Sequence, residues 1–354
     1  MYELYVQKCH NEWKVNPEKL SFYRFIFSTE FNLGFHQPKK DACKYCEWYK
    51  RLNPSDKVHH EEEYNAHQTR KVQAREHKQN DKRHAQAQSS FKALTFDLEQ
   101  VLTTPWSNVS SLFYSRKLST YNLTVYELGN KEAQCYMWHE GEGGRGSSEI
   151  STCMFQYLST LSRTEHVVLY SDTCGLQNRN AGFSAMCLCL HIFMESGHSQ
   201  MECDSVHAAI EAARKKVPVY SPEGYYTLVR MARRNRPYKV IELGHSAFLD
   251  FKSFSQHTVR NRTKDTEGQT VRHTKEDPKG IQFKYSLSDQ PFQMLQVGKH
   301  ETRGAHAIAP KKMHTGPPGI TAVKKKDVLT LCTNGSIPHS YVDFYQSVQV
   351  IQAE

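Results

Sequence analysis

His166-Val-Val-Leu-Tyr-Ser-Asp172 is a short apolar run that ends on an acid. Buried strands of α/β sheets read this way, because helices cover both of their faces. Upstream, Phe91-Lys-Ala-Leu-Thr-Phe-Asp97 repeats the pattern, a strand-length run closing on aspartate. Between the two, Ser111 to Leu118 and Tyr121 to Leu128 read as a hairpin pair, and Gln134 to His139 as a further strand. Gly141-Glu-Gly-Gly-Arg-Gly146 predicts a loop, and Ser147-Ser-Glu-Ile150 opens a helix with a capping-type start that runs to about Leu161.

After Asp172, the glycine and asparagines of Cys174 to Asn180 predict a loop, Ala181 to Met194 a buried helix, and Asp204 to Lys216 a helix that begins on its own acid. Tyr225 to Lys252 continues as helix then strand. The resulting order, β-β-β-α-β-α-β-α, predicts an α/β domain over residues 91–252, an RNase H-like mixed sheet flanked by helices. Residues 253–280 are polar and poorly patterned, a linker or loop. Residues 281–354 form a small C-terminal extension, with strands between Ile281 and Val297 and a short helix from Val323 to Cys332. At the other end, residues 1–55 are a small aromatic-rich Cys/His module. Residues 56–90 read as a solvated helical arm, since His59 to Gln88 has too few apolar positions for a broad buried face.

Of the 354 residues, 38% are hydrophobic and 23% charged, a globular balance with material for one sizeable core and a smaller module. The net charge of +9 favours an anionic partner, nucleic acid first. The start, Met1 to Lys14, lacks the apolar core of a signal peptide. The longest apolar run, Ala181 to Met194, falls short of the ~20 residues of a membrane-spanning helix. Ten scattered cysteines in a long chain argue for reduced thiols rather than a disulfide framework. Together these predict a nuclear or cytoplasmic protein without a membrane partner, and leave room for a homo-oligomer.

Three acids carry the chemistry. A fold of this type brings Asp97, Asp172 and Asp204 to one sheet edge, and the 75- and 32-residue intervals between them leave space for the intervening elements. Such carboxylates suit hard divalent ions, Mg²⁺ or Mn²⁺, in phosphodiester cleavage. Strand-end aspartates also serve as turn and N-cap residues, Asp204 most of all, and Glu195 and Glu202 stand near as substitutes for the third position. His198 and His207 are accessory candidates for phosphate contact or proton transfer; His207 shares the helix face of Asp204. Cys43-Lys-Tyr-Cys46 has zinc-knuckle spacing, half of a tetrahedral Zn²⁺ site. Cys9 with His67 or His10 are the favoured further ligands, ahead of His36, His59 and His60. Arg179, Arg233, Arg234 and Arg236 are the expected nucleic-acid contacts.

Several linked motifs are familiar as a set: Phe31 to Cys46, Phe96 to Leu102, Trp138-His-Glu140 with Arg145-Gly146 and Glu149-Ile150, Tyr170 to Gly175 with Gln177 to Asn180, Glu195 to Ser199, Asp204-Ser-Val-His207, and Lys325 to Leu331 with Ile337-Pro338. Over nearly its whole length the chain resembles an arthropod-expanded, transposon-derived protein family with a Cys-rich front module and a transposase-like RNase H domain. The resemblance implies metal-binding roles for Asp97, Asp172 and Asp204 and zinc positions at Cys43 and Cys46, with DNA as partner. It also sets Met1 inside a truncated front module. The function expected is metal-dependent DNA strand cleavage or transfer; the alternative is a domesticated or decayed, catalytically inactive remnant acting as a DNA- or protein-binding module.

Overall fold

The computed structural model describes residues 2–29, 43–107, 109, 112, 114–161, 166–174, 177, 180–186, 190–194, 197–258, 270–272, 280–284, 287, 291, 293–296 and 309–351, and divides into two compact units, Met1–Glu47 and Trp48–Glu354. In the first unit, α1 (Tyr2–Lys8) leads through a π-helical turn at Cys9–Trp13 towards α2 (Leu20–Thr29). Its contacts are aromatic: Tyr23 lies 5.4 Å from Tyr2 and 5.0 Å from Tyr5, ring centroid to centroid. Helix α3 (Lys44–Arg51) starts where the Glu47 amide bonds the Cys43 carbonyl, and it carries the chain into the second unit.

There, α4 (Pro54–His59) is capped by the Asn53 side chain on the Asp56 amide, and α5 (Glu61–Ala87) follows. Helix α5 is expected to be a solvated arm; instead it is docked. Ala74 is buried in an apolar cluster with Ala93, Val168 and Tyr170. The Tyr170 hydroxyl donates to Asp81 Oδ2 at 2.6 Å, and Lys78 and Lys82 pair with Glu202 at 3.1 and 3.3 Å. Tyr64 stacks on Tyr49 of α3 at 3.9 Å. A narrow small-residue stripe lets the helix approach, and named polar partners hold it, so apolar breadth is a poor guide to its docking.

The sheet is built from β1 (Phe91–Leu98), β2 (Leu102–Thr104), β3 (Leu118–Glu127), β4 (Ala133–His139), β5 (His166–Ser171), β6 (Leu190–Phe193), β7 (Lys239–Glu242), β8 (Thr270–Arg272), β9 (Gly280–Lys284) and β10 (Gln293–Gln296), in the order β10-β9-β8-β6-β5-β1-β3-β4-β7 with β2 paired to β3. β3 runs antiparallel to both β1 and β4; β5 lies parallel to β1, β6 to β5 and β7 to β4. Interleaved helices are α6 (Ser147–Ser159), α7 (Ala181–Met186), α8 (Cys203–Arg214), α9 (Pro222–Met231) and α10 (Phe251–Thr258). The result is a mixed sheet flanked by helices. Alternation along β1 divides the core: Leu94 and Phe96 pack with Ile150, Met154 and Phe183, while Ala93 and Thr95 turn towards α5 and α8, where Thr95 Oγ1 meets Cys203 Sγ at 3.4 Å.

Three further expectations change. Besides β1 and β4, β3 pairs with β2, Leu102 opposite Thr120, where the Ser111 to Leu118 segment is expected. Leu112 and Leu118 are buried with Ile320, Val328 and Tyr345, so that segment's apolar residues serve the packing of α11 (Ala322–Thr333) and α12 (Val342–Ser347). The expected helix Ala181 to Met194 stops at Met186, and Leu190–Phe193 is a strand. A continuous apolar run fits a buried helix or a doubly covered strand equally well, and pairing with β5 selects the strand. Within the expected 253–280 linker lie most of α10 and strand β8, which extends the sheet beyond β6. No helix among the described residues is long and apolar enough to cross a membrane.

Candidate functional site

Asp97 is the penultimate residue of β1, level with Thr124 of β3 and Cys135 of β4. Asp204 sits in the first turn of α8, where the helix dipole favours a carboxylate, and its Oδ2 accepts the Met201 amide at 3.1 Å. His207, one turn further on, presents Nε2 to Thr124 Oγ1 at 3.1 Å. The ligand atoms of Asp97, Asp204 and His207 all lie within 4.8 Å of one another. Burial pulls the His207 imidazole down to about 4, so at neutral pH it is uncharged, the form in which histidine binds metals. Two carboxylates and a neutral imidazole are a donor set for a divalent ion.

Asp172 is the first residue past β5. The β1–β5 ladder runs in a constant register from Phe91 opposite His166 to Thr95 opposite Tyr170, and Asp97 and Asp172 each lie two residues beyond its last pair. Its Oδ1 accepts the Cys174 amide at 3.2 Å, and it is outside the group that Asp97, Asp204 and His207 form. Arg233 lies over the Tyr238 ring at 4.6 Å and donates to the Arg236 carbonyl, Arg236 donates to the Asn130 carbonyl, and Arg234 is exposed. None of these partners belongs to the carboxylate group. Glu202 is occupied by Lys78 and Lys82. Arg179, Glu195 and His36 lie outside the described residues.

A second set of metal donors comprises Cys43 and Cys46 in the first unit and His67 and His198 in the second. Cys43 and Cys46 flank the first turn of α3, and His67 projects from α5. Tyr49, one turn after Cys46, stacks on Tyr64, one turn before His67, so the two helices are registered by this ring pair. His198 comes from the segment between β6 and α8, its ring 5.3 Å from that of His67. Both thiols and His67 are buried. Donors of a tetrahedral zinc site stand about 2.0–2.3 Å from the ion, and two thiolates with two imidazoles are one such donor set. The cluster could therefore hold a metal such as zinc. Cys9 is instead hydrogen-bonded with Tyr5 and is not in this group, nor are His10, His59 and His60. The core thiols contrast with it: burial pushes Cys135 up to about 12, leaving it an inert apolar filler.

Glu99 is a buried acid that the sequence motifs do not single out. Two residues past Asp97, it is 4% exposed and accepts Asn122 Nδ2 at 2.8 Å; Asn122 in turn contacts Thr124 Oγ1 at 3.4 Å, the atom that meets His207. Burial pushes the Glu99 carboxyl up to about 8, against the pull of the Asn122 hydrogen bond and of Arg214. Between about pH 4.5 and about pH 8 the folded chain therefore keeps a proton that the unfolded chain has released, and stability falls as pH rises through that window, on the order of 1 kcal/mol for each unit crossed. Glu99→Gln removes the titration while keeping the acceptor. The melting temperature of the variant should gain on the native chain from pH 5 to pH 8; parallel melting curves across that range would rule out a buried neutral acid.

Compared with protein families, curated proteins and solved structures, the chain finds no match.

Proposed function

We propose that the chain is a metal-dependent polynucleotidyl transferase or endonuclease of transposase descent, nuclear and acting on DNA, with an RNase H-like core. The convergence of Asp97 and Asp204 with His207 at one end of β1 carries this reading. Support for the core assignment comes from the element order, in which an antiparallel front half (β1, β3, β4) precedes parallel β5 and β6 and a closing helix that bears an acid. Bound Mg²⁺ or Mn²⁺ supplies activation of an attacking hydroxyl and stabilisation of the leaving oxygen. Asp97, Asp204 and His207 would hold the ion, and Thr124 Oγ1, 3.1 Å from His207 Nε2, restrains the imidazole. Cys43, Cys46, His67 and His198 would be the donors for a structural Zn²⁺.

A second reading, a catalytically inactive remnant that binds DNA or protein, draws on Asp172, whose carboxylate accepts the Cys174 amide and is not one of the three ligands grouped with Asp97. Labelled DNA duplex incubated with the purified chain separates the two. Products that depend on Mg²⁺ or Mn²⁺ support the enzyme. Binding that weakens with salt but yields no product under either ion supports the remnant, and absence of both binding and product removes DNA as the partner.

A further inference from the structure

Trp106 is the first residue after the cis Thr104-Pro105 peptide bond and forms an isolated bridge with Val219. Beside it opens a cavity of ≈ 280 Å³, lined among others by Trp106, Val109, Arg214, Lys215, Lys216 and Tyr220. Two cations stand over the one indole, the Arg214 guanidinium at 4.2 Å and the Lys117 ammonium at 5.7 Å from its centroid. Arg214 is hydrogen-bonded with the Tyr225 side chain and attracts the buried Glu99, yet its Nε is buried without a hydrogen-bond acceptor; among the described residues no salt bridge joins Lys117, Lys215 or Lys216 to an acid.

Basic residues at the end of a helix offset its dipole, which accounts for Arg214, Lys215 and Lys216 at the end of α8. That reason does not extend to Lys117, which precedes β3. Burial, and then the like charge of Arg214, hold the Lys117 ammonium below its ordinary range, as expected where cations gather without an anion. Small-molecule sites start at roughly 300 Å³, so the cavity suits one nucleotide unit and excludes a duplex. From Asp204 to Arg214, ten residues of α8 separate the cavity from the carboxylates by about 15 Å. That distance is about four steps of a nucleic-acid strand at 3.4 Å each.

We infer that this cavity is a nucleotide site for an unpaired stretch of nucleic acid, with a backbone phosphate received by Lys117, Lys215 and Lys216 and the sugar or base set against Trp106 and Tyr220. The inference rests on nucleic acid being the partner, and does not depend on cleavage. An aromatic wall with a basic rim is the usual construction of sequence-tolerant single-strand sites, each base stacked there being worth about a five- to hundredfold change in affinity.

Fluorescence anisotropy of a labelled ten-nucleotide oligothymidylate, without Mg²⁺ or Mn²⁺, tests it. Lys215→Glu combined with Lys216→Glu changes two exposed side chains and leaves the core alone; Trp106→Phe is the conservative probe of the wall. The charge variant should bind at least about tenfold more weakly, with a salt dependence shallower by about 0.7 in log–log slope for each phosphate that it no longer neutralises. Free thymidine monophosphate should displace the strand better than inorganic phosphate does. Native binding that the charge variant retains would overturn the site while leaving DNA as a partner. Equal displacement by inorganic phosphate would reduce it to an anion site and overturn the nucleotide assignment. No binding of the oligonucleotide, with duplex still bound, would also overturn it; no binding of either would defeat the DNA reading as well.

Discussion

An Asp97→Asn chain is expected to lose metal-dependent DNA cleavage by about a thousandfold or more, with DNA binding unchanged or slightly tighter. The size follows from the role: a group that acts on charge developing in the transition state costs about two to three orders of magnitude in rate when removed. The sign of the binding change follows from charge, since a carboxylate facing a phosphate backbone repels it. Asp97 is well suited to the test because its backbone is paired with Thr124 of β3, so the asparagine variant keeps the strand and loses only the carboxylate charge. Asp204→Asn should behave alike. Asp172→Asn should discriminate: a comparable loss would place Asp172 on the metal despite its Cys174 hydrogen bond, whereas near-native turnover would leave the site to Asp97, Asp204 and His207. Single-turnover cleavage of labelled duplex in Mn²⁺, beside equilibrium binding, reads both quantities. Unchanged cleavage by Asp97→Asn would defeat the assignment.

The second large effect concerns zinc. One equivalent should copurify with the native chain and be absent from Cys46→Ser, His67→Ala and His198→Ala, while Cys9→Ser and His10→Ala keep it. Structural zinc sites in small folds contribute on the order of 10 kcal/mol of apparent binding energy at pH 7, so loss of one ligand should lower the melting temperature sharply and reduce the helical signal of α3. Metal analysis of the five variants decides the ligand set. Zinc retained by His198→Ala would exclude the four-donor site.

How legible these features are in the sequence depends on the range over which each is set. The strands ending on Asp97 and near Asp172 are local, two apolar runs each closing on an acid, and they stand close to the expected positions. The first pair of zinc donors is local too, because two thiols three residues apart at a helix start are fixed by one turn of backbone. His198 is different. It follows His67 by 131 positions and reaches it only after β1, β5 and β6 have paired, so no spacing rule connects the two. Glu99 is hidden for a related reason: it lies beyond the end of β1 in a segment that reads as loop, and its burial comes from Asn122 and α8 closing over it. The missed strand Leu190–Phe193 shows the limit of periodicity itself, which distinguishes elements by their solvated face and fails where there is none.

The packing of Leu112 and Leu118 against Ile320, Val328 and Tyr345 bears on how the molecule is made. Tyr345 donates its hydroxyl to the Tyr220 carbonyl at 2.6 Å, and the Gly319 amide bonds the Gly141 carbonyl at 3.1 Å. These bonds join positions more than 100 residues apart, so a nascent chain emerging from the ribosome can pair β1 to β6 while the start of β3 still lacks its apolar cover. That exposed surface persists until the final helices are synthesised, and long-range closure of this kind is slow. Translation at roughly 5–20 residues per second would leave it open for several seconds at least. Premature termination near residue 312 would release a species with a paired sheet and an uncovered apolar patch, a substrate for chaperones.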